Sequence, residues 1–259
     1  MNTLIPILLC SLLAGLLSVL AASLFLLLPE RHRSSVLPHL VSLATGTLLG
    51  TAFLGLLPEA LAQVEGAAAP RITLSVMLGL VLFFLLEKMV IWRHCHTEHC
   101  AGHTEIPTRS GRGAGTLILV GDAIHNFVDG ALIAGAFLTD FRLGVLTGLA
   151  VAAHEIPQEV GDFAILLHSG YSRRDAIVYN VAVSLTTLAG SLLAWLGLSY
   201  LTGALPYVLA IAASSFIYVA VADLIPGLHE RTAVNESVVQ VSLIAVGISL
   251  VYGLDQVLH

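Results

Sequence analysis

Two short segments of this chain place polar side chains inside otherwise apolar sequence. The first runs Gly121-Asp-Ala-Ile-His-Asn-Phe-Val-Asp-Gly130, and the second runs His154-Glu-Ile-Pro-Gln-Glu-Val-Gly-Asp162. Imidazole, carboxylate and amide groups are ligands of divalent transition metals such as zinc, manganese and iron(II), whereas copper(I) prefers sulfur ligands. Together the two segments therefore have the chemistry of a divalent metal site.

Helical spacing brings the polar side chains of each segment onto one face. At about 100° per residue, those of the first segment fall within an arc of roughly 100° and those of the second within roughly 140°. The residues concerned are Asp122, His125, Asn126 and Asp129 in the first, and His154, Glu155, Gln158, Glu159 and Asp162 in the second. Because both segments lie near the middle of long apolar runs, their carboxylates are costly to bury without a compensating charge. We therefore predict a divalent cation between the two faces.

Polar side chains within a membrane can also serve only to hold helices together. A single intramembrane His or Asn is often such a structural contact. Here nine polar residues, five of them carboxylates, occupy two short segments at one depth. Helix association does not need so many charges, so a metal site is favoured over a purely structural bundle.

The rest of the chain indicates how these segments are held. Hydrophobic residues make up 57% of the 259 positions and charged residues 11%, and the mean hydropathy is +0.92. A membrane-spanning helix needs about 20 mostly apolar residues. Eight such runs are present, at residues 4–28, 40–62, 72–91, 116–138, 144–168, 176–200, 207–228 and 237–256. We therefore predict an all-α polytopic membrane protein with eight transmembrane helices, numbered 1 to 8 in chain order, in a single transmembrane domain over residues 1–259.

The basic residues predict the orientation of the chain. Cytoplasmic loops of membrane proteins carry an excess of Lys and Arg. Nine basic residues fall on one side: Arg31, Arg33, Lys88, Arg93, Arg109, Arg112, Arg173, Arg174 and Arg231. Only Arg71 and Arg142 fall on the other, so both termini are predicted to lie outside. Topology accounts for the basic residues, so they do not predict a nucleic-acid partner. The predicted partner is the lipid bilayer, and the predicted location is the inner (cell) membrane of a bacterium.

A short sequence similarity links helices 2 and 7. Leu56-Leu-Pro-Glu-Ala-Leu61 is similar to Leu224-Ile-Pro-Gly-Leu228, although the two helices cross the membrane in opposite directions. This pattern predicts inverted repeats around a central pair formed by helices 4 and 5, an arrangement common in transporters.

The polar segments resemble the helix 4 and helix 5 signatures of the ZIP (Zrt/Irt-like protein) family of divalent metal transporters. The resemblance rests on His125-Asn-Phe-Val-Asp-Gly130 and on the segment from His154 to Asp162, and it extends to Ala52-Phe-Leu-Gly-Leu-Leu-Pro-Glu59 and Tyr218-Val-Ala-Val-Ala-Asp-Leu-Ile-Pro226. It implies transport of zinc, and also of iron or manganese, toward the cytoplasm through a metal centre between helices 4 and 5 that can hold two ions. It also implies a homodimer, and a transporter domain rather than an enzyme.

The resemblance carries over to individual positions. Six residues match the metal site of the family: His125, Asn126, Asp129, His154, Glu155 and Gln158. Gln158 stands where the subfamily with the motif HExPHE has histidine, so a second metal subsite here is expected to be weaker or differently selective.

Further polar residues lie on the predicted cytoplasmic side of this site. Helix 5 runs from outside to inside, so its later residues follow the metal ligands along the path. We predict that five side chains line the exit route: Asp122, Glu159, Asp162, His168 and Asp223.

The longest polar segment, residues 92–115, is predicted to be a cytoplasmic His-rich loop between helices 3 and 4. Its imidazole and thiolate groups could bind metal and belong to His94, Cys95, His96, His99, Cys100 and His103. They lack the fixed spacing of a zinc finger. Two interpretations therefore stay open: a solvated polar loop, or a loop that captures or senses metal after transit.

An enzyme is the alternative to a transporter. His154-Glu-Ile-Pro-Gln158 resembles the first half of H-E-x-x-H, in which two histidines one helical turn apart hold a catalytic zinc. Gln158 replaces the second histidine, and Pro157 stands between the two ligand positions. Metal flux without cleavage of membrane substrates would distinguish the transporter from an intramembrane zinc metalloprotease.

Overall fold

A computed structural model of the chain describes residues 3–64, 68–94, 112–230 and 233–258. In these ranges the chain is helical, without strands, and eight long helices follow one another. Six of them are continuous: α1 (Leu4–Phe25), α3 (Ala69–His94), α4 (Arg112–Thr139), α5 (Phe141–His168), α6 (Arg173–Leu198) and α8 (Val234–Leu258). Of the eight described helices, seven are long and apolar enough to cross a membrane, and α5, the other one, carries the charged segment 154–162. The predicted all-α polytopic membrane fold is confirmed.

The two remaining helices are each built from three consecutive pieces. Helix α2 consists of the α-helix Glu30–Gly50, the π-helix Thr51–Leu56 and the α-helix Leu57–Ala62. Helix α7 consists of the α-helix Leu205–Tyr218, the π-helix Val219–Leu224 and the α-helix Ile225–His229.

Both π-helical pieces end just before a proline, Pro58 in α2 and Pro226 in α7. Proline has no N–H to donate to the preceding turn and its ring crowds that turn, which favours a local change of winding there. The two segments with similar sequences thus share one local structure. Inverted repeats remain a prediction.

Several helices extend beyond the apolar runs that predicted them. Helix α2 begins at Glu30 and not at residue 40, while α3 continues to His94 and α4 begins at Arg112, inside the predicted loop 92–115. Apolar runs report the thickness of the hydrocarbon layer, and helices can continue through polar sequence beyond it.

The eight helices pack as two groups. Helices α1, α4, α5 and α6 form the first bundle, in which the closest association is that of α4 with α6. In the second bundle α2 packs against α8 and α3 packs against α7, and the main contact between the bundles is that of α2 with α5. An ion pair between Arg142 Nη1 and Asp255 Oδ1, 3.3 Å apart, also joins α5 to α8.

Two glycines allow α4 and α6 to approach closely. A Cβ atom added at Gly130 would overlap the carbonyl oxygen of Thr187, and one added at Gly190 would overlap the carbonyl oxygen of Phe127. Small residues of this kind let membrane helices come into backbone contact. This contact fixes the position of α4, the helix that carries the first polar segment.

Candidate metal centre

Four side chains from α4 and α5 converge on one point. His154 Nε2 lies 3.2 Å from His125 Nε2 and 3.2 Å from Asp129 Oδ2. His125 Nε2 is 3.7 Å from Asp129 Oδ2 and 3.7 Å from Glu155 Oε1, and His154 Nε2 is 3.8 Å from Glu155 Oε1. One ligand atom from each side chain lies within 4.8 Å of all the others. We refer to His125, Asp129, His154 and Glu155 as the four-donor cluster.

The ring of His154 is held in a fixed orientation. Its Nδ1 lies 3.0 Å from the carbonyl oxygen of Ala150, one turn earlier in α5. A carbonyl oxygen can only accept, so Nδ1 carries a proton and donates it, and Nε2 faces the cluster. Phe216 of α7 packs edge-on against this ring, with centroids 6.2 Å apart. The nitrogen that faces the cluster is therefore the one able to bind a metal.

The two carboxylates of the cluster lack hydrogen-bond donors. Asp129 and Glu155 are fully buried. Neither oxygen of either carboxylate accepts a hydrogen bond from any described residue. Buried carboxylates are costly unless they are paired or coordinate a metal. The cluster thus has two buried carboxyl groups whose natural partner is a cation.

The remaining two predicted ligands form a second group next to the cluster. Asn126 donates from Nδ2 to Asp122 Oδ1 at 3.0 Å, and Gln158 donates from Nε2 to the same oxygen at 3.4 Å. Thr187 of α6 donates to the amide oxygen of Asn126 at 2.8 Å. The structure therefore brings four of the six predicted ligands together, whereas the two amide side chains are engaged with Asp122 and Thr187.

A cavity of about 280 Å³ lies beside the cluster, between the two bundles. His125 lines it, and α3 and α7 of the second bundle form its opposite wall. Three residues of the predicted exit route line this cavity: Asp122, Asp162 and Asp223. With the predicted topology, these carboxylates lie on the cytoplasmic side of the cluster.

The other two residues of the predicted exit route lie elsewhere. Glu159 is fully buried and does not line the cavity, and its two oxygens have no hydrogen-bond partner among the described residues. His168 lines a different cavity, next to Arg33 and Arg173. Asp162 and His168 are six positions apart, a rotation of about 600° around the helix axis, which leaves the two side chains about 120° apart. They therefore point to different sides of α5. Depth along the helix, on which the prediction for His168 rests, is independent of this angle.

Sequence reasoning missed some residues of this region. Glu87 of α3 lines the cavity and its carboxylate accepts a hydrogen bond from the hydroxyl group of Tyr218 of α7. Glu87 stands next to Lys88 near a helix end, where a charged pair is usually at the membrane interface. The signal that could have identified Glu87 was helix packing, since α3 and α7 are neighbours.

The predicted loop ligands are a separate case. Cys95, His96, His99, Cys100 and His103 lie outside the described residues, and so does the side chain of His94. Metal binding by this loop stays a prediction from the sequence.

Comparison with known proteins gives a consistent result. The chain matches the model of a family described as "ZIP Zinc transporter" over residues 3–111 and 93–255. It is 31% identical over 273 residues to the zinc transporter ZIP13 homolog of Drosophila melanogaster, covering 84% of this chain and 77% of that protein. It is 32% identical over 286 residues to mouse zinc transporter ZIP13, covering 96% of this chain and 79% of that protein. Human zinc transporter ZIP4 is 44% identical over 113 residues, which cover 43% of this chain and 17% of ZIP4.

Proposed function

This chain belongs to the ZIP zinc transporter family and is an integral multi-pass membrane protein, and we propose that it carries zinc toward the cytoplasm through the four-donor cluster between α4 and α5. One observation supports the proposal above all. Two imidazole nitrogens and two unpartnered buried carboxylates have ligand atoms within 4.8 Å of one another.

The spacing of the donor atoms suits a zinc ion. Zinc binds His nitrogen and carboxylate oxygen at about 2.0–2.2 Å, with tetrahedral geometry. Ligand atoms at the corners of such a tetrahedron are about 3.3–3.6 Å apart. Five of the six separations between donors of the cluster run from 3.2 to 3.8 Å, and all six are within 4.8 Å. Small side-chain adjustments would therefore suffice to bind the ion.

The cavity supplies a route for release. Three of its carboxylates, Asp122, Asp162 and Asp223, are hard oxygen donors that can exchange zinc with water and with one another. The cluster belongs to the first bundle and the far wall of the cavity belongs to the second. Movement of one bundle against the other would open the cluster to the two sides of the membrane in turn, as in other transporters with a site near the midplane.

The same donor chemistry leaves finer predictions open to test. Iron(II) and manganese(II) accept nitrogen and oxygen ligands as zinc does, so we propose them as further substrates. A second ion would use the amide oxygens of Asn126 and Gln158, and that of Asn126 accepts a hydrogen bond from Thr187 that the ion would replace. The homodimer, the bacterial inner membrane and the outside termini are likewise proposals that follow from the family resemblance and from the basic residues.

Zinc uptake into proteoliposomes that contain a trapped zinc indicator tests the proposed site. We expect His154→Ala to lower the initial rate at least about tenfold, since a lost ligand should cost no less than a lost second-layer contact. His39→Ala is the matched control, because His39 is an exposed histidine of α2 outside the cluster. Equal uptake by His154→Ala and the wild type would overturn the assignment of the site. Zinc-dependent cleavage of membrane substrates without flux would favour the metalloprotease.

A further inference from the structure

A second cavity, of about 310 Å³, lies at the predicted cytoplasmic ends of the helices, away from the metal centre. It is formed where α1 and α5 end and where α2 and α6 begin. Its polar lining comes mainly from three basic side chains: Arg33, His168 and Arg173. Its apolar lining includes Leu26, Leu27, Phe163, Leu167 and Ile177.

The basic side chains of this cavity are not neutralised within the described structure. No described carboxylate lies within 4.0 Å of the guanidinium group of Arg33 or of Arg173. The Nε of Arg33 is shielded from solvent and has no hydrogen-bond partner among the described residues. Shielded donors of this kind normally have an acceptor, which can come from a ligand. The cavity therefore has both the charge and an unmet donor for an anion.

The side chains of α5 that line the cavity change from apolar to basic along the helix. Phe163, fully buried, lies one turn deeper in the membrane than Leu167 and His168. His168 is held at the polar end, with Nδ1 2.7 Å from the carbonyl oxygen of Ala164. In the predicted topology the basic groups thus lie at the depth of the lipid headgroups, and apolar side chains continue from them toward the hydrocarbon layer.

We propose that this cavity binds an anionic phospholipid, with the phosphate group between Arg33 and Arg173 and an acyl chain along the apolar wall. Guanidinium groups match phosphate oxygens with paired hydrogen bonds. Basic pockets between transmembrane helices on the cytoplasmic side are known as sites for anionic headgroups. Arg33 belongs to the second bundle and Arg173 to the first, so the bound lipid bridges the two bundles.

The excess of Arg in cytoplasmic loops offers a simpler explanation for these side chains. The neighbouring residue Arg174 distinguishes that explanation from a lipid site. Arg174 has the same charge, lies on the same side of the membrane and is exposed, as Arg173 is, but it does not line the cavity. A general interfacial charge would act equally at positions 173 and 174. A built site would depend on Arg33 and Arg173 alone.

The test measures lipid bound to the purified full-length protein by native mass spectrometry, with phosphatidylglycerol as the probe and phosphatidylcholine as the neutral comparison. We expect tight binding of one phosphatidylglycerol per chain to the wild type and to Arg174→Gln. Arg33→Gln and Arg173→Gln should each weaken this binding at least about fivefold, the effect of one basic residue near an anionic surface. Arg33→Lys, which keeps the charge but loses the paired geometry, should fall in between.

Three outcomes would overturn the proposal. The first is equal loss of binding in Arg173→Gln and Arg174→Gln, which would indicate interfacial charge only. The second is equal retention of phosphatidylglycerol and phosphatidylcholine by the wild type. The third is a rise in melting temperature of the lipid-free protein with inorganic phosphate that matches the rise with phosphatidylglycerol, which would assign the cavity to a soluble phosphate compound. If Arg33→Gln fails to fold, the comparison of Arg173→Gln with Arg174→Gln decides the question by itself.

Discussion

Replacing Asp129 by Asn removes one negative charge from the four-donor cluster and preserves the size of the side chain. Asp129 is fully buried, and its Oδ2 is 3.2 Å from His154 Nε2. Neither oxygen accepts a hydrogen bond from a described residue. An Asp at the centre of a membrane helix costs about 2.5–3.5 kcal/mol, part of which the two nearby imidazoles offset. We therefore expect metal-free Asp129→Asn to be more stable than the metal-free wild type by about 1–3 kcal/mol.

Zinc should shift this difference in stability by about 2.3 kcal/mol in favour of the wild type. A ligand that binds only the folded state at about 100 times its Kd stabilises a protein by about 2.7 kcal/mol. If loss of Asp129 weakens zinc binding about a hundredfold, the same zinc concentration stabilises the variant by only about 0.4 kcal/mol. The variant gains stability without metal because a buried charge is gone, and it loses the response to metal for the same reason.

Thermal unfolding in detergent, with chelator and with saturating zinc, measures both effects on one sample. Asp175→Asn is the matched control, because Asp175 is exposed in the first turn of α6 and lies far from the cluster in sequence and in the fold. It should follow the wild type under both conditions. The reasoning would be refuted if Asp129→Asn melted below the wild type in chelator and still showed the full shift with zinc.

Three other changes test separate parts of the structure. Asp162→Asn should slow zinc uptake several-fold while leaving zinc binding to the cluster unchanged, because Asp162 lines the cavity and is not part of the cluster; unchanged flux would count against the exit route. Gly190→Ala should lower the free energy of unfolding by about 1–3 kcal/mol, since the new methyl group would overlap the carbonyl oxygen of Phe127. Gly197→Ala is the control and should have no such effect, because nothing lies within 4 Å of its added methyl group. Equal melting temperatures of the two variants would show that α4 and α6 can separate freely. Deletion of residues 94–103 should preserve basal uptake but change its dependence on metal load, and an identical response would favour a merely solvated loop.

The sequence was sufficient to predict which two helices bring potential metal ligands together. Polar residues at helical spacing in the middle of two apolar runs predicted that α4 and α5 face each other, and the structure places His125, Asp129, His154 and Glu155 within reach of one another. The prediction was possible because helical periodicity and membrane depth are both local properties of the sequence. Both follow from the position of a residue along its own helix.

What the sequence could not predict depends on neighbouring helices. Asn126 turns toward Asp122 because Thr187 of α6 donates to its amide oxygen, and no property of the α4 sequence identifies that partner. Glu87 joins the cavity because α3 packs against α7. His168 was predicted to line the exit route from its depth alone, and its angle on α5 places it in the basic cavity instead. Each of these results required tertiary packing.

The wider winding of α7 has a mechanical consequence. Asp223 lies within the π-helical piece Val219–Leu224, two residues before the α-helical piece Ile225–His229 begins. Such a turn holds one residue more than an α-helical turn, so re-forming the tighter winding on its far side would rotate the intervening side chains by about 100°. The carboxylate of Asp223 can thus change direction when a few backbone hydrogen bonds are exchanged, while the rest of the helix stays intact.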